Sequence, residues 1–167
     1  MGVPANPPPI ELIEAGPEHA AEIDRLVAAF HQHEGVNVAA NARRTSIDAL
    51  LAMPAQGRIL LVQHRDAEIV GYAVLAFGFS LEFGGRDAFV DELFIADTFR
   101  GQGIGSAALS AVCAWARHEG LCALHLEVER DNKAAKALYT RTGFEDRSHY
   151  NLMSLHIANV RENGPAQ

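Results

Sequence analysis

The stretch Arg100-Gly101-Gln102-Gly103-Ile104-Gly105-Ser106 lies between an apolar run ending Leu93-Phe94-Ile95 and a helical pattern from Ile104 to Glu119. Gly101, Gly103 and Gly105 remove side chains where a backbone would need to approach a ligand closely. The first N–H groups of the following helix have no intrahelical acceptor, and the helix dipole adds partial positive charge there. The segment therefore reads as an anion-binding turn, with phosphate the fitting anion. Taken alone, it also suits an ordinary flexible turn.

Two phosphate-binding patterns compete for it. Gly103-Ile104-Gly105-Ser106-Ala107-Ala108 matches the dinucleotide pattern G-x-G-x-x-A, and Glu127 or Glu129 follows about 20 residues on, where a ribose-binding acid belongs. That pattern needs a buried parallel strand running almost directly into its first glycine. Here the preceding strand carries Asp91 and Glu92, is paired by a hairpin to the strand before it, and is separated from Gly103 by Ala96 to Gln102. A nucleotide P-loop, G-x-x-x-x-G-K-[ST], does not occur.

Outward from the turn, the texture is mixed. Ile10 to Ile13 suits a short strand, and Pro17 behind Gly16 suits a helix start. Ile23, Leu26, Val27 and Phe30 form an apolar helical stripe that Gly35 ends. A second helix is expected from Thr45 or Ser46, with Asp48 placed for capping, stopping before Pro54. Strands are expected at Ile59 to Val62, Ile69 to Phe83 and Ala88 to Ile95, with Gly84-Gly85 as a hairpin turn. After the glycine turn come a helix, a strand from Leu121 to Val128, a helix from Asn132 to Thr142 closed by Gly143, and strands at Phe144 onward and Met153 to Ile157. One parallel crossover joined to an antiparallel sheet implies an α/β (α+β) fold, a mixed sheet with helices on both faces. Residues 1–9 read as an extended Pro-rich leader, 10–158 as a single domain and 159–167 as a flexible tail.

At this point the chain resembles the GNAT superfamily of N-acetyltransferases, which use acetyl-CoA. Arg100-Gly101-Gln102-Gly103-Ile104-Gly105 matches that family's [QR]-x-x-G-x-[GA] motif. Leu126-Glu127-Val128, then Asn132, Ala135, Leu138-Tyr139 and Gly143-Phe144, match its second half-motif. The resemblance implies a mostly antiparallel central sheet of about six to seven strands. It also implies that the strand ending at Ile95 and the strand from Leu121 splay apart around the pantetheine arm of acetyl-CoA. Backbone groups near Phe94, Ile95 and Ala96 would bond that arm. The pyrophosphate would rest on Gln102, Gly103, Ile104 and Gly105, beside Gly101, with Arg100 and Ser106 at its edge. Asn132 and Ala135 would face the cofactor from the other side, and family members often form dimers, here through the final strands.

Acetyl transfer to an amine poses two proton problems. An alkylammonium, with a pKa of about 10, must lose a proton before attack, and the departing thiolate needs one. The resemblance makes Tyr139 the general acid and a cofactor contact. For the base, Glu92 is the first choice, Asp91 the second and Glu127 the third. Neighbouring strand residues point to opposite faces, so only one of Asp91 and Glu92 faces the acceptor unless a bulge intervenes. A backbone N–H near Ile95 would polarise the thioester carbonyl. The acceptor wall is expected to include His31, Glu34, Phe79 and Glu82 with Asp91 and Glu92.

The chain has 167 residues, which fits one domain, and a formal net charge of −7. That balance argues against a nucleic-acid partner, which needs clustered Lys and Arg, and is compatible with a cationic or neutral small partner. Asp91-Glu92 before Leu93-Phe94-Ile95, with the later Tyr139, resemble the polyamine and small-diamine acetyltransferases, and with the negative charge that resemblance implies a small cationic amine as acceptor. No apolar run of spanning length exists and the first residues lack signal-peptide character, so a cytoplasmic protein without a membrane partner is expected. Cys113 and Cys122 read as reduced core residues with no adjacent base. His31, His33 and Glu34 have a metal-like look, but H-x-H on a helix sends the rings to different faces, so no metal is expected. His118 and His125 read as surface or strand residues, and Phe77, Phe79 and Phe83 as a core face first and a pocket wall second. The reading is an acyltransferase moving an acetyl group to a small amine by direct attack. The alternatives are a protein N-terminal or lysine acetyltransferase, a CoA-binding regulator, and a dinucleotide-binding oxidoreductase.

Overall fold

Ile59, Leu60, Leu61 and Val62 are all buried, which a strand achieves only when both faces of its sheet are covered. In a computed structural model, which describes residues 9–64, 68–155 and 157, they form the middle of β2 (Gly57–His64). β1 (Glu11–Glu14) pairs with β2, β2 with β3 (Glu68–Ser80), and β3 with β4 (Gly85–Ile95), all antiparallel. β5 (Ala123–Leu126) joins β4 in parallel, giving the order β1-β2-β3-β4-β5.

Alternate side chains of this sheet feed two cores. Ile59, Leu61, Tyr72 and Phe94 pack with Ala20, Ile23, Leu26 and Val27 of α1 (Ala20–Glu34) and Ile47 of α2 (Ala40–Ala52). On the other face, Leu60, Ala73, Leu75 and Ala88 pack with Val112, and Val62, Val70 and Ile95 with Ile104 and Ala108, of α3 (Ile104–His118). α4 (Lys133–Thr142) follows β5 and ends at Gly143, whose φ of 103° is left-handed. The α1 stripe read from the sequence is the buried one, and Gly35 closes that helix in the left-handed region.

Several boundaries differ from expectation. α2 starts at Ala40, before Thr45 and Ser46, whose hydroxyls donate to the carbonyls of Asn41 and Ala42 one turn earlier. Such back-bonding belongs to a helix interior, and Asp48 pairs with Arg44 along the surface rather than capping. The hairpin turn spans residues 81–84, with Gly84 at φ 77° and Gly85 already paired with Ser80. Five strands form among the described residues, not six or seven. Residues 145–155 and 157 make no strand, and Leu152, Met153, Leu155 and Ile157 are exposed. The leader over residues 1–8, the tail over 159–167 and His156 of the expected last strand lie outside the described residues. Cys113 is buried as expected, but Cys122 is exposed and its thiol donates to the Arg86 carbonyl. No described helix is long and apolar enough to cross a membrane.

Candidate active site

β4 carries one residue more than β3 can pair. Val74 lies opposite Glu92 and Leu75 opposite Val90, so Asp91 is bulged out and exposed. A bulge resets the alternation of the strand beyond it. Without it, Glu92 would fall on the α3 face; with it, Glu92 joins Phe94 on the α1 side. Sequence alternation left open which of Asp91 and Glu92 faces the acceptor side; the bulge turns Glu92 toward α1 and leaves Asp91 in solvent.

On that side Glu92 meets two partners. The Tyr72 hydroxyl donates to its Oε2 at 2.5 Å, and His31 Nε2 lies 3.4 Å from its Oε1. The side chains of His31 and Glu92 are only 15% and 17% exposed. Burial pushes the Glu92 carboxyl above its ordinary value, opposed by the Tyr72 hydrogen bond and His31 and reinforced by Asp91. Burial together with the Glu92 charge raises the Tyr72 phenol well beyond its usual range, so it remains a donor.

The same bulge marks where the sheet opens. β4 and β5 pair from Asp87 with Ala123 to Val90 with Leu126, and there the pairing stops. Beyond it, among the described residues, β3 is the only strand that pairs with β4. Ala96 N–H donates to the Val70 carbonyl, so by strand alternation Phe94 and Glu92 also direct their backbone groups to β3. Leu93 and Ile95 therefore present theirs to the open edge. This corrects the expectation for Phe94 and Ala96: their N–H groups are spent on β3, and the Ala96 carbonyl accepts from Phe99. The Ile95 carbonyl accepts Arg100 Nε at 2.9 Å.

Just past that edge the chain enters the glycine turn. Gly101 and Gly103 adopt φ of 75° and 82°, left-handed values that favour glycine, and Gly103 caps α3 with no side-chain bond. Ile104 is buried, while Gly105 and Ser106 continue the first helical turn, whose N–H groups lack intrahelical acceptors. Gln102 bonds the Thr98 carbonyl. Arg100 does not reach forward to the turn. Besides Ile95, it contacts Asp97 and His33 and covers the Phe94 ring, tying the turn to the end of α1.

A profile of the acetyltransferase (GNAT) family matches residues 28–144. The chain belongs to the GNAT acetyltransferase family. A thialysine N-epsilon-acetyltransferase of Bos taurus is 35% identical over 78 residues, covering 47% of this chain and 45% of its own. An uncharacterized N-acetyltransferase, YhfO, of Bacillus subtilis is 30% identical over 88 residues, covering 53% and 59%. The chain thus spans about half the length of these relatives. Among solved structures, the integron cassette protein HFX_CASS3 from a salt-marsh metagenome superposes with a TM-score of 0.76 at 35% identity, covering 88% of this chain and 90% of its own. The aminoglycoside N-acetyltransferase AAC(6')-Iy, solved in complex with CoA, shares the fold with a TM-score of 0.69 at 14% identity, over 94% and 99% of the two chains.

The second GNAT half-motif lies on α4 and its entry. Asn132 caps α4, its side chain accepting the Ala135 N–H at 3.0 Å. Tyr139 is half-buried, edge-on to Phe144, and burial raises its phenol above the ordinary value. It lines a cavity of about 810 Å³ along β5 with Phe83, Cys113, His125 and Leu126. That cavity includes neither Glu92 nor the glycine turn. Of the expected acceptor wall, the structure brings only His31 to Glu92. Glu34 is exposed near His33, Glu82 pairs with Arg147 beside the cavity, and Phe79 is 73% exposed. Glu127 is exposed just after β5, and His125 pairs with Asp87. Tyr72 was missed from the sequence. Its signal was a phenol inside an apolar strand, because a buried tyrosine hydroxyl requires a partner.

Proposed function

We propose that this GNAT chain is an N-acetyltransferase that moves the acetyl group of acetyl-CoA to a primary amine of a small cationic molecule, by direct attack in a ternary complex. The observation that carries the reading is the parting of β4 from β5 at Val90, which leaves edge-facing backbone groups at Leu93 and the N–H of Ile95 between a half-buried carboxylate and a glycine-capped helix start.

The residues present fit the co-substrate. An extended pantetheine arm would add to the β4 edge as a strand does, and its phosphates would meet the first N–H groups of α3. Asn132, Ala135 and Tyr139 would close the other side from α4. Acetyl-CoA supplies a thioester whose acetyl group is transferred. This chain's residues do the rest. Glu92 takes a proton from the incoming ammonium, aided by burial that makes its carboxylate more basic. The Ile95 N–H donates to the carbonyl oxygen as negative charge develops. Tyr139 holds its proton at neutral pH and gives it to the departing sulfur. The acidic balance of the chain and the name of the bovine relative both support a small amine carrying positive charge.

The test is thiol release from acetyl-CoA over an amine panel that includes thialysine, a diamine and an anionic amino acid. Turnover of the cationic amines supports the reading. Rapid turnover of the anionic amino acid with none of the cationic amines refutes the acceptor assignment.

A further inference from the structure

Glu92 is held from three elements at once. Tyr72 reaches it from β3, His31 from the last turn of α1, and the bulge at Asp91 turns it toward both. The two partners meet different carboxylate oxygens, Tyr72 at Oε2 and His31 at Oε1, so each oxygen keeps an accepting site free for a substrate proton. Phe30 packs against His31, Tyr72 and Phe94, with ring centroids 6.0, 6.5 and 5.8 Å away, which fixes the imidazole sideways.

The other imidazole nitrogen is the informative one. His31 Nδ1 is buried and has no hydrogen-bond partner among the described residues. A buried polar atom without a partner costs stability and calls for a reason. Presenting Nε2 to Glu92 is such a reason, because the ring orientation that does so strands Nδ1. A neutral imidazole with its proton on Nε2 donates to Glu92 and leaves Nδ1 a bare acceptor, the less costly atom to strand.

We propose that His31 is a positioning residue: through an Nε2–H bond it holds the Glu92 carboxylate, with Tyr72, in the orientation from which it takes the substrate proton. The inference rests on Glu92 being the base. It replaces the expectation that His31 is an acceptor wall residue. The titratable groups acting on Glu92 are Tyr72 from β3, His31 from α1 and Asp91 on its own strand. Phe94 and Phe30 contribute apolar surface. Removing His31 removes a stabiliser of the ionised carboxylate, so the Glu92 carboxyl becomes harder to ionise.

The test is a carbon NMR titration of the Glu92 carboxyl in the full chain. His31→Leu should move its midpoint up by about one pH unit, a ten-fold gain in proton affinity. His31→Gln, whose amide N–H can stand in for Nε2–H, should bring it back toward the parent value. The acid limb of kcat/KM with thialysine should move by the same amount, with KM for acetyl-CoA unchanged. A midpoint that stays in place or falls in His31→Leu overturns the inference. Should His31→Leu not fold, the parent protein decides the matter by nitrogen NMR: a neutral His31 ring carrying its proton on Nδ1 overturns the inference, and a proton on Nε2 supports it. Glu92→Gln separates the two levels. If it keeps the acid limb, Glu92 is not the base; if it loses the limb while the His31→Leu midpoint is unmoved, only the role of His31 fails.

Discussion

Glu92 works against the stability of its own fold. Its carboxyl is raised chiefly by burial, so the folded state favours the protonated form and ionisation costs it stability. The stability that protonated Glu92 contributes is complete below its unfolded value and is lost as pH rises through the higher folded one. Glu92→Gln should therefore raise Tm at pH 8, with the advantage shrinking as pH falls through the folded value, followed by scanning calorimetry. The same variant should lower kcat by roughly 10²–10⁴-fold, the usual worth of a general base. Tyr139→Phe should also lower kcat while leaving acetyl-CoA affinity nearly intact, read by calorimetric titration; a large loss of affinity would make Tyr139 structural. At this scale residue types were legible and partners were not. Glu92 and His31 both stood out in the chain, yet 61 positions separate them, and only the fold brings them together.

The bulge in β4 and the shortness of β5 are one feature of the sheet. Once β4 is kinked at Asp91, β5 loses its register, and pairing ends at Val90 and Leu126. The expected strand from Leu121 to Val128 is cut to Ala123–Leu126 for that reason. Gly71 fixes the opposite side of the same region. It lies across from Ile95, and a β-carbon there would collide with the Phe94 carbonyl oxygen. Gly71→Ala should cost about 1–3 kcal/mol as an overpacked contact and lower Tm by roughly 2–4 °C per kcal/mol. Because the strain falls at the open edge, acetyl-CoA affinity should fall with it, measured on the folded fraction. The existence and type of the long elements were readable from apolar periodicity. The start of α2 was not, because Thr45 and Ser46 carry hydroxyls suited either to a cap or to back-bonding within a helix.

At the scale of the whole molecule, the formal charge of −7 and a polyanionic co-substrate look opposed. On the proposed reading the two are separated in space: the phosphates would meet the helix start at Gly103, built from backbone, while Glu92 and Asp91 lie at the bulge, where the acceptor would approach. Raising ionic strength should then weaken a dicationic acceptor more than a monocationic one, seen as a larger rise in KM, since screening acts on the extra charge. The order of elements from Ile10 to Phe144 and the resemblance to GNAT proteins were legible because both half-motifs sit on local structure. The sixth and seventh strands were expected from apolar residues such as Leu152, Met153 and Leu155, which are exposed here and find no partner strand among the described residues.

The opening between β4 and β5 as a seat for acetyl-CoA is the claim on which the rest depends. Its most direct measurement is thermal unfolding of the full chain with acetyl-CoA, CoA or NAD at saturating concentration. The expected result is a rise in Tm of about 5–10 °C with acetyl-CoA and CoA, near what a ligand at about 100 times its Kd supplies to a domain of this size, and none with NAD. A rise with NAD and none with acetyl-CoA would contradict it.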